Sequence, residues 1–264
     1  MSRSRRRNQV RARPNTFGWG KKMSGETVLA FKEWAATYDS TVSGELERFA
    51  GISHEASLDR MLQLERIETG ARVLDVGTGT GLAALRQAAE DPSGQVVGVD
   101  PTPEMLAQAV RNTHELQLAD RVRLVQAEGT ALPYPDRTFD AVISSLALHH
   151  TDVSAALDDM LRVLKPSGRV IIMDMGAPPA WRSVPFSWLM GLLRWVYALV
   201  GGVQGKAEAK AFGRTYTAGE WERILVSKDL METQVLEVRR PGQRIYPCVI
   251  FAGGAKNGAG GYSG

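Results

Sequence analysis

The sequence has very little cysteine and histidine and no uninterrupted hydrophobic run of membrane-spanning length. Its single cysteine, Cys248, excludes a disulfide framework and any metal site built from several cysteines. The four histidines form no H-E-x-x-H pattern, so no metal site is expected. No apolar segment follows the arginines near the beginning, so a secretion signal is not expected and we predict a cytoplasmic protein.

Acidic residues are absent from the first part of the chain. Residues 1–22 contain eight arginines and lysines, so they carry +8 while the whole chain carries only +3. We expect residues 1–24 to form a basic, disordered tail, which is a composition that can bind nucleic acid or an anionic membrane surface. The remainder of the chain is acidic, which argues against a broad nucleic-acid-binding face and leaves peripheral membrane contact open.

A short apolar run that ends in three regularly spaced glycines marks the centre of the sequence. Residues 72–76 have the pattern of a buried parallel strand, and Gly77, Gly79 and Gly81 follow it directly. Residues 82–90 then have the composition of a helix. Glycines between a strand and a helix N-terminus let a ligand lie against bare backbone, so a nucleotide-type ligand is predicted here.

The spacing of these glycines distinguishes two classes of cofactor. A dinucleotide-binding loop has the pattern G-x-G-x-x-G, whereas residues 75–81 read D-V-G-T-G-T-G. Asp75 would repel a pyrophosphate and attract an ammonium group. An NAD-dependent oxidoreductase of Rossmann type is the alternative, although no tyrosine begins the Y-x-x-x-K pattern of short-chain dehydrogenases.

Further candidate residues follow the other predicted strands. Residues 95–100 form a second strand ending in Asp100, whose carboxylate can accept hydrogen bonds from both hydroxyls of a ribose. Met105 lies in the next helix and is a candidate for covering an adenine face. The fourth strand ends before His149, and an imidazole at that edge can take a proton from an acidic substrate. We therefore predict His149 as a catalytic residue.

Taken together, the motifs resemble the class I S-adenosylmethionine (SAM) methyltransferases, and in particular the ubiquinone/menaquinone-type (methyltransferase type 11) family. The resemblance covers about residues 31–251. It rests on the family motifs F-x-x-W/A-A-x-x-Y-D, D/E-x-G-x-G-x-G, the acid after the second strand, G-D-A-x-x-L-P-F and S-x-x-L-H-H, which match residues 31–39, 75–81, 100, 127–134 and 144–150.

The resemblance implies an α/β fold with a doubly wound, seven-stranded, mostly parallel sheet, the Rossmann-like SAM methyltransferase fold, in the strand order 3-2-1-4-5-7-6. N-terminal helices and an inserted apolar lid at about residues 178–215 belong to the same domain, predicted to span residues 25–252. Residues 232–239 and 243–251 have the pattern of a terminal antiparallel hairpin, and residues 253–264 resemble a flexible tail.

The resemblance also implies that S-adenosyl-L-methionine is the cofactor. Asp75 would orient its methionine end, Asp100 would hold the ribose, and Glu128 stands at the adenine side, where the family usually has aspartate. The predicted cofactor-binding residues are Tyr38, Asp75, Gly77, Thr78, Gly79, Gly81, Asp100, Met105, Glu128, Gly129 and Ser144.

The function implied is transfer of a methyl group by in-line displacement to a small-molecule acceptor. Residues 178–203 are apolar and rich in tryptophan, but Pro185, Gly191 and Arg194 interrupt them, which argues against a membrane-spanning helix. They fit a lid over the acceptor or an amphipathic surface helix on a bilayer, and either use predicts an apolar or lipid-like acceptor. A non-catalytic SAM-binding module associated with membrane or RNA is a further alternative.

Overall fold

The computed structural model describes residues 37–183 and 213–258, together with a few isolated positions outside these ranges. The helices in these ranges are α1 (Tyr38–Phe49), α2 (His54–Leu62), α3 (Leu82–Glu90), α4 (Pro103–Glu115), α5 (Val153–Val163) and α6 (Ala218–Ser227). The strands are β1 (Arg72–Val76), β2 (Gln95–Asp100), β3 (Val122–Gln126), β4 (Phe139–Ser145), β5 (Leu164–Gly176), β6 (Leu230–Val238) and β7 (Cys248–Lys256). Short 3-10 turns at Leu148–His150 and Pro179–Arg182 follow β4 and β5.

The seven strands form one sheet in the order β3-β2-β1-β4-β5-β7-β6. The first five strands are parallel to one another, and β7 runs antiparallel between β5 and β6. The predicted fold class and strand order are therefore confirmed. Because β1 to β5 are parallel, the carboxyl ends of β1, β2 and β4 lie at one edge of the sheet, where ligands bind in open α/β folds.

An apolar layer covers each face of the sheet. Alternation along β1 shows the division: Leu74 and Val76 pack on the side of α5 and α6, whereas Val73 packs on the side of α2 and α3. This follows from the two-residue repeat of a strand, which sends successive side chains to opposite faces. Both faces of the sheet are thereby buried beneath the edge that carries the glycine loop.

The end of the sheet departs from the prediction. The strand expected at residues 243–251 instead begins at Cys248 and ends at Lys256, so the predicted tail at 253–264 starts inside the sheet. Gly253 and Gly254 pair with Ile171 and Val170, and a Cβ on Gly253 would lie 3.0 Å from the Val170 carbonyl oxygen. Glycine here permits the close approach of neighbouring strands, so it does not indicate a flexible tail.

Several predicted segments lie outside the described residues. These are the basic tail at 1–24, most of the predicted lid at about 178–215, and the last six positions, 259–264. In the lid, Trp181 is buried and donates its indole N–H to the Ile245 carbonyl at 2.8 Å, whereas Trp188 and Trp195 are exposed. Within the described ranges, every helix is too short or too polar to traverse a lipid bilayer.

Candidate active site

A cleft opens at the carboxyl ends of β1, β2 and β4. Its empty volume is about 580 Å³, including the part that is open to solvent. The residues that line it come from the glycine loop, the ends of the strands, α1 and α4. They are Tyr38, Val76, Gly77, Gly79, Asp100, Pro101, Thr102, Met105, Glu128, Gly129, Leu146, Ala147, Leu148, His150 and Thr151.

The cleft brings together many of the residues predicted from the sequence as cofactor ligands. Those that line it are Tyr38, Gly77, Gly79, Asp100, Met105, Glu128 and Gly129. The remaining members of that set, Asp75, Thr78, Gly81 and Ser144, do not line it. Asp75, Thr78 and Ser144 are buried, and Gly81 caps α3.

The three glycines of the loop have different structural roles. Gly77 has φ +72°, and a Cβ there would lie 2.3 Å from the Cβ of Ala147 across the cleft wall. Gly79 has φ +54°, and a Cβ there would meet no atom within 4 Å. Gly81 caps α3 with φ +90°, and its Cβ would lie 3.1 Å from the Cβ of Ala109 on α4. Gly81 therefore permits helix packing, while Gly77 and Gly79 form the cleft surface.

Asp75 lies behind the loop and is completely buried. Its carboxylate accepts a hydrogen bond of 2.6 Å from the Thr78 hydroxyl. Burial raises the pKa of Asp75 to about 7, against the opposing effect of the hydrogen bonds from Thr78 and from the Ala84 backbone. Asp75 and Thr78 thus hold the loop from its core side.

Asp100 connects the end of β2 to the glycine loop. One carboxylate oxygen accepts from the Gly79 backbone N–H at 3.0 Å, and the other accepts from the Thr102 N–H at 2.8 Å. Burial raises the pKa of Asp100, and these backbone hydrogen bonds oppose that increase. Each carboxylate oxygen can accept more than one hydrogen bond, so Asp100 retains capacity for a hydroxyl in the cleft.

The loop that carries Glu128 and Gly129 is held by a pair of residues on α5 that the sequence did not single out. Arg162 donates to the carbonyls of Leu132 at 2.9 Å and Tyr134 at 2.7 Å, and it pairs with Asp159 at 2.6 Å. The Leu132 N–H in turn donates to the Asp159 carboxylate. The spacing of Asp159 and Arg162, one helical turn apart, was the available signal, but it indicates only a helix-surface pair.

We expect Arg162→Met to weaken binding of SAM, the cofactor predicted from the sequence, by about tenfold, since the loop loses charge-assisted hydrogen bonds worth ~1.5–3 kcal/mol each. Calorimetric titration measures this change. Arg86→Met is the matched control, because it also removes an arginine from an ion pair between arginine and aspartate. Arg86 on α3 pairs with Asp59 on α2, and neither residue lines the cleft. Equal SAM affinity in the Arg162 variant and the wild type would show that the α5 pair does not support the site.

His149 and His150 follow β4 in a short 3-10 turn, and the structure separates their roles. His150 lines the cleft, whereas His149 lies next to it, with the ring centroids 4.0 Å apart. Burial, followed by the charges of His149 and Arg214, lowers the pKa of His150 well below its ordinary value. His150 is thus kept neutral, and the Arg214 guanidinium donates to its carbonyl at 3.1 Å.

Asp174, at the carboxyl end of β5, holds His149. Its carboxylate hydrogen-bonds to Nδ1 of His149 and accepts from the His149 backbone N–H at 3.0 Å. Glu45 of α1 also lies nearby: burial raises its pKa, and the His149 charge opposes that increase. Asp174 was missed as a site residue, although an acid ending an apolar strand was visible in the sequence.

Ser144 joins the strands instead of facing the cleft. It is fully buried, and its hydroxyl donates to the Val76 carbonyl on the neighbouring strand at 2.8 Å. Through this bond Ser144 ties β4 to the point where β1 enters the glycine loop. No grouping of histidine, cysteine and acidic residues suited to a metal ion occurs among the described residues.

Comparison with known proteins gives a consistent result. Residues 74–172 match the family model described as Methyltransferase domain. The chain is 38% identical over 121 residues to a demethylmenaquinone methyltransferase of Thermus thermophilus, covering 46% of this chain and 54% of the relative. It is 39% identical over 119 residues to a ubiquinone/menaquinone biosynthesis C-methyltransferase of Pseudomonas putida, covering 44% and 46%. The chain thus spans about half the length of the curated relatives it matches.

A solved structure supports the fold over a longer range. A SAM-dependent methyltransferase from Aquifex aeolicus has a TM-score of 0.57 and 21% identity, covering 84% of this chain and 97% of that one. At this identity the similarity concerns the fold alone. Together with the family match, it confirms the resemblance predicted from residues 75–81 and the motifs that follow.

Proposed function

We propose that this chain, whose residues 74–172 match the family model described as Methyltransferase domain, transfers the methyl group of SAM to a small apolar or lipid-like acceptor. The observation that carries the proposal is the convergence of Gly77, Gly79, Asp100 and Glu128 with Tyr38 in one cleft. No comparison supports the NAD-dependent alternative or a non-catalytic binding module.

The cleft residues fit this cofactor. The bare backbone at Gly79, where a side chain would meet nothing within 4 Å, leaves room for close approach of a ligand. Asp100 is the acceptor suited to ribose hydroxyls, and Glu128 with Met105 would hold the adenine. When bound, SAM supplies an electrophilic methyl group on a sulfonium, so the protein mainly contributes alignment and exclusion of water.

The proposed acceptor is a ring of the quinol type. The relatives' names concern demethylmenaquinone, ubiquinone and menaquinone, and the reduced forms of such rings combine an apolar body with weakly acidic hydroxyls. The predicted lid would cover the apolar part. His149 would take the acceptor's proton, since the hydrogen bond between Nδ1 and Asp174 directs the basic lone pair to Nε2.

The first test is calorimetric titration of the purified chain with SAM, S-adenosylhomocysteine and NAD. We expect the first two to bind and NAD to give no heat of binding. Incubation with SAM and a demethylated naphthoquinol should then yield a product heavier by one methylene unit in mass spectrometry, while a polar catechol serves as the comparison acceptor. Binding of NAD without SAM would overturn the proposal, and methylation of the catechol alone would overturn the acceptor class.

A further inference from the structure

The first turn of helix α1 is attached to the glycine loop by one hydrogen bond. The Thr80 hydroxyl donates to Oδ1 of Asp39 at 2.6 Å, which joins two residues 41 positions apart. Thr80 lies between Gly79 and Gly81 and is only 3% exposed. Tyr38, the neighbour of Asp39, lines the cleft. The bond therefore joins the chain neighbour of a cleft-lining residue to the glycine loop.

Both ends of this bond are positioned for it. The Thr80 carbonyl accepts from the Asn112 side chain at 2.9 Å, so α4 holds the backbone from which the hydroxyl projects. Asp39 is a half-buried carboxylate in the first turn of α1, and hydrogen bonds to an ionised acceptor are about twice as strong as neutral ones. An acid at this end also interacts favourably with the helix dipole.

The N-terminus of α1 lacks a side-chain capping bond. Thr37 occupies the N-cap position without making a side-chain capping bond, and Leu46, near the other end, is the buried residue of the helix. A missing cap typically leaves a helix end ~1 kcal/mol less stable. Besides the local bonds that the Ser40 and Thr41 hydroxyls donate to the Thr37 carbonyl, the bond to Thr80 gives the first turn a tertiary contact with the glycine loop.

We propose that Asp39 is a positioning residue for cofactor binding: its bond to Thr80 closes the first turn of α1 over the cleft and holds Tyr38 against bound SAM. This inference rests on the proposed function. Because coupling between two sites is reciprocal, a cofactor that orders the glycine loop strengthens the bond, and the bond in turn slows release of the cofactor. This would place the aromatic face of Tyr38 beside a cationic ligand.

The test compares SAM affinity and release in full-length variants. Asp39→Ala and Thr80→Val each remove one partner, and we expect each to raise the SAM dissociation constant and dissociation rate about tenfold. Thr80→Ser keeps the hydroxyl and should behave as the wild type. The double variant should bind no more weakly than either single variant, because both substitutions remove the same interaction. Calorimetry and stopped-flow displacement by S-adenosylhomocysteine give the two quantities.

Asp59→Ala is the control, since it breaks the Arg86–Asp59 pair between two helices outside the cleft lining. It should alter the melting temperature without changing SAM release. A bond with a merely structural role would lower the melting temperature of the Asp39 and Thr80 variants and leave their SAM release unchanged, which would overturn the inference. Additive effects in the double variant would do the same. If the wild type binds SAM, these failures concern the inference alone; absence of wild-type binding removes the proposed function as well.

Discussion

Gly77→Ala is expected to weaken SAM binding by at least about 100-fold. The added methyl would lie 2.3 Å from the Cβ of Ala147, whereas non-bonded carbons are stable at ~3.5–4.0 Å. The left-handed backbone at Gly77, φ +72°, adds strain for any L side chain. Since Ala147 lines the cleft, the wall it belongs to must move. Calorimetric titration and thermal unfolding measure the two consequences.

Two further variants separate the clash from the backbone strain. Gly242→Ala introduces a side chain at φ +84° where no atom lies within 4 Å, so it reports the strain alone. In the double variant Gly77→Ala, Ala147→Gly the opposing methyl is removed, and SAM binding should recover in large part. A Gly77→Ala variant that binds SAM like the wild type, or a double variant without recovery, would contradict this account of the cleft wall.

The second large effect is expected at the pair formed by His149 and Asp174. We expect His149→Gln to lower kcat by about 10²–10⁴-fold, the usual contribution of a general base. The SAM dissociation constant should stay nearly constant, since neither side chain is among the residues proposed to contact SAM. Asp174→Asn should lower kcat less severely, because the imidazole remains but loses the carboxylate that orients it. Initial rates at saturating SAM and acceptor measure both changes.

The pH profile distinguishes a base from a structural histidine. The wild-type rate should fall at low pH as the base becomes protonated. Replacing the base should abolish this dependence, so His149→Gln should remove the limb. His150 does not supply the limb, because burial keeps its pKa well below the ordinary value. His114→Gln, at an exposed position on α4, is the control; persistence of the limb in His149→Gln would reject His149 as the base.

The local features of this site could be predicted from the sequence. The sequence pattern that predicts the glycine loop lies within about 20 consecutive residues: the apolar strand at 72–76, the glycines after it and the helix that follows. The capping box of Thr217 and Glu220 is a local signal of the same kind, and both of its hydrogen bonds form. Resemblance to a family supplied the strand order, since the periodicity of single elements does not specify which strands become neighbours.

Only the tertiary structure decided which residues of each motif face the cleft. Asp75 and Ser144 belong to the matching motifs, yet both are buried in bonds that hold the loop and the strands. The same holds for neighbouring residues: His150 lines the cleft, while His149 lies against Asp174. A motif constrains residue type and spacing, but the direction of each side chain depends on the elements packed around it.

The sequence by itself thus determined the position of the glycine loop and the acids at the strand ends, because periodicity and glycine spacing act over a few neighbouring residues. The class of fold followed from the resemblance of these motifs to a family. The tertiary structure alone decided the extension of β7 through Gly253, the attachment of Asp39 to Thr80, and the support that Arg162 gives to the Glu128 loop. Each of these joins residues far apart in the chain, and such contacts form only when packing of the whole domain brings their backbones together.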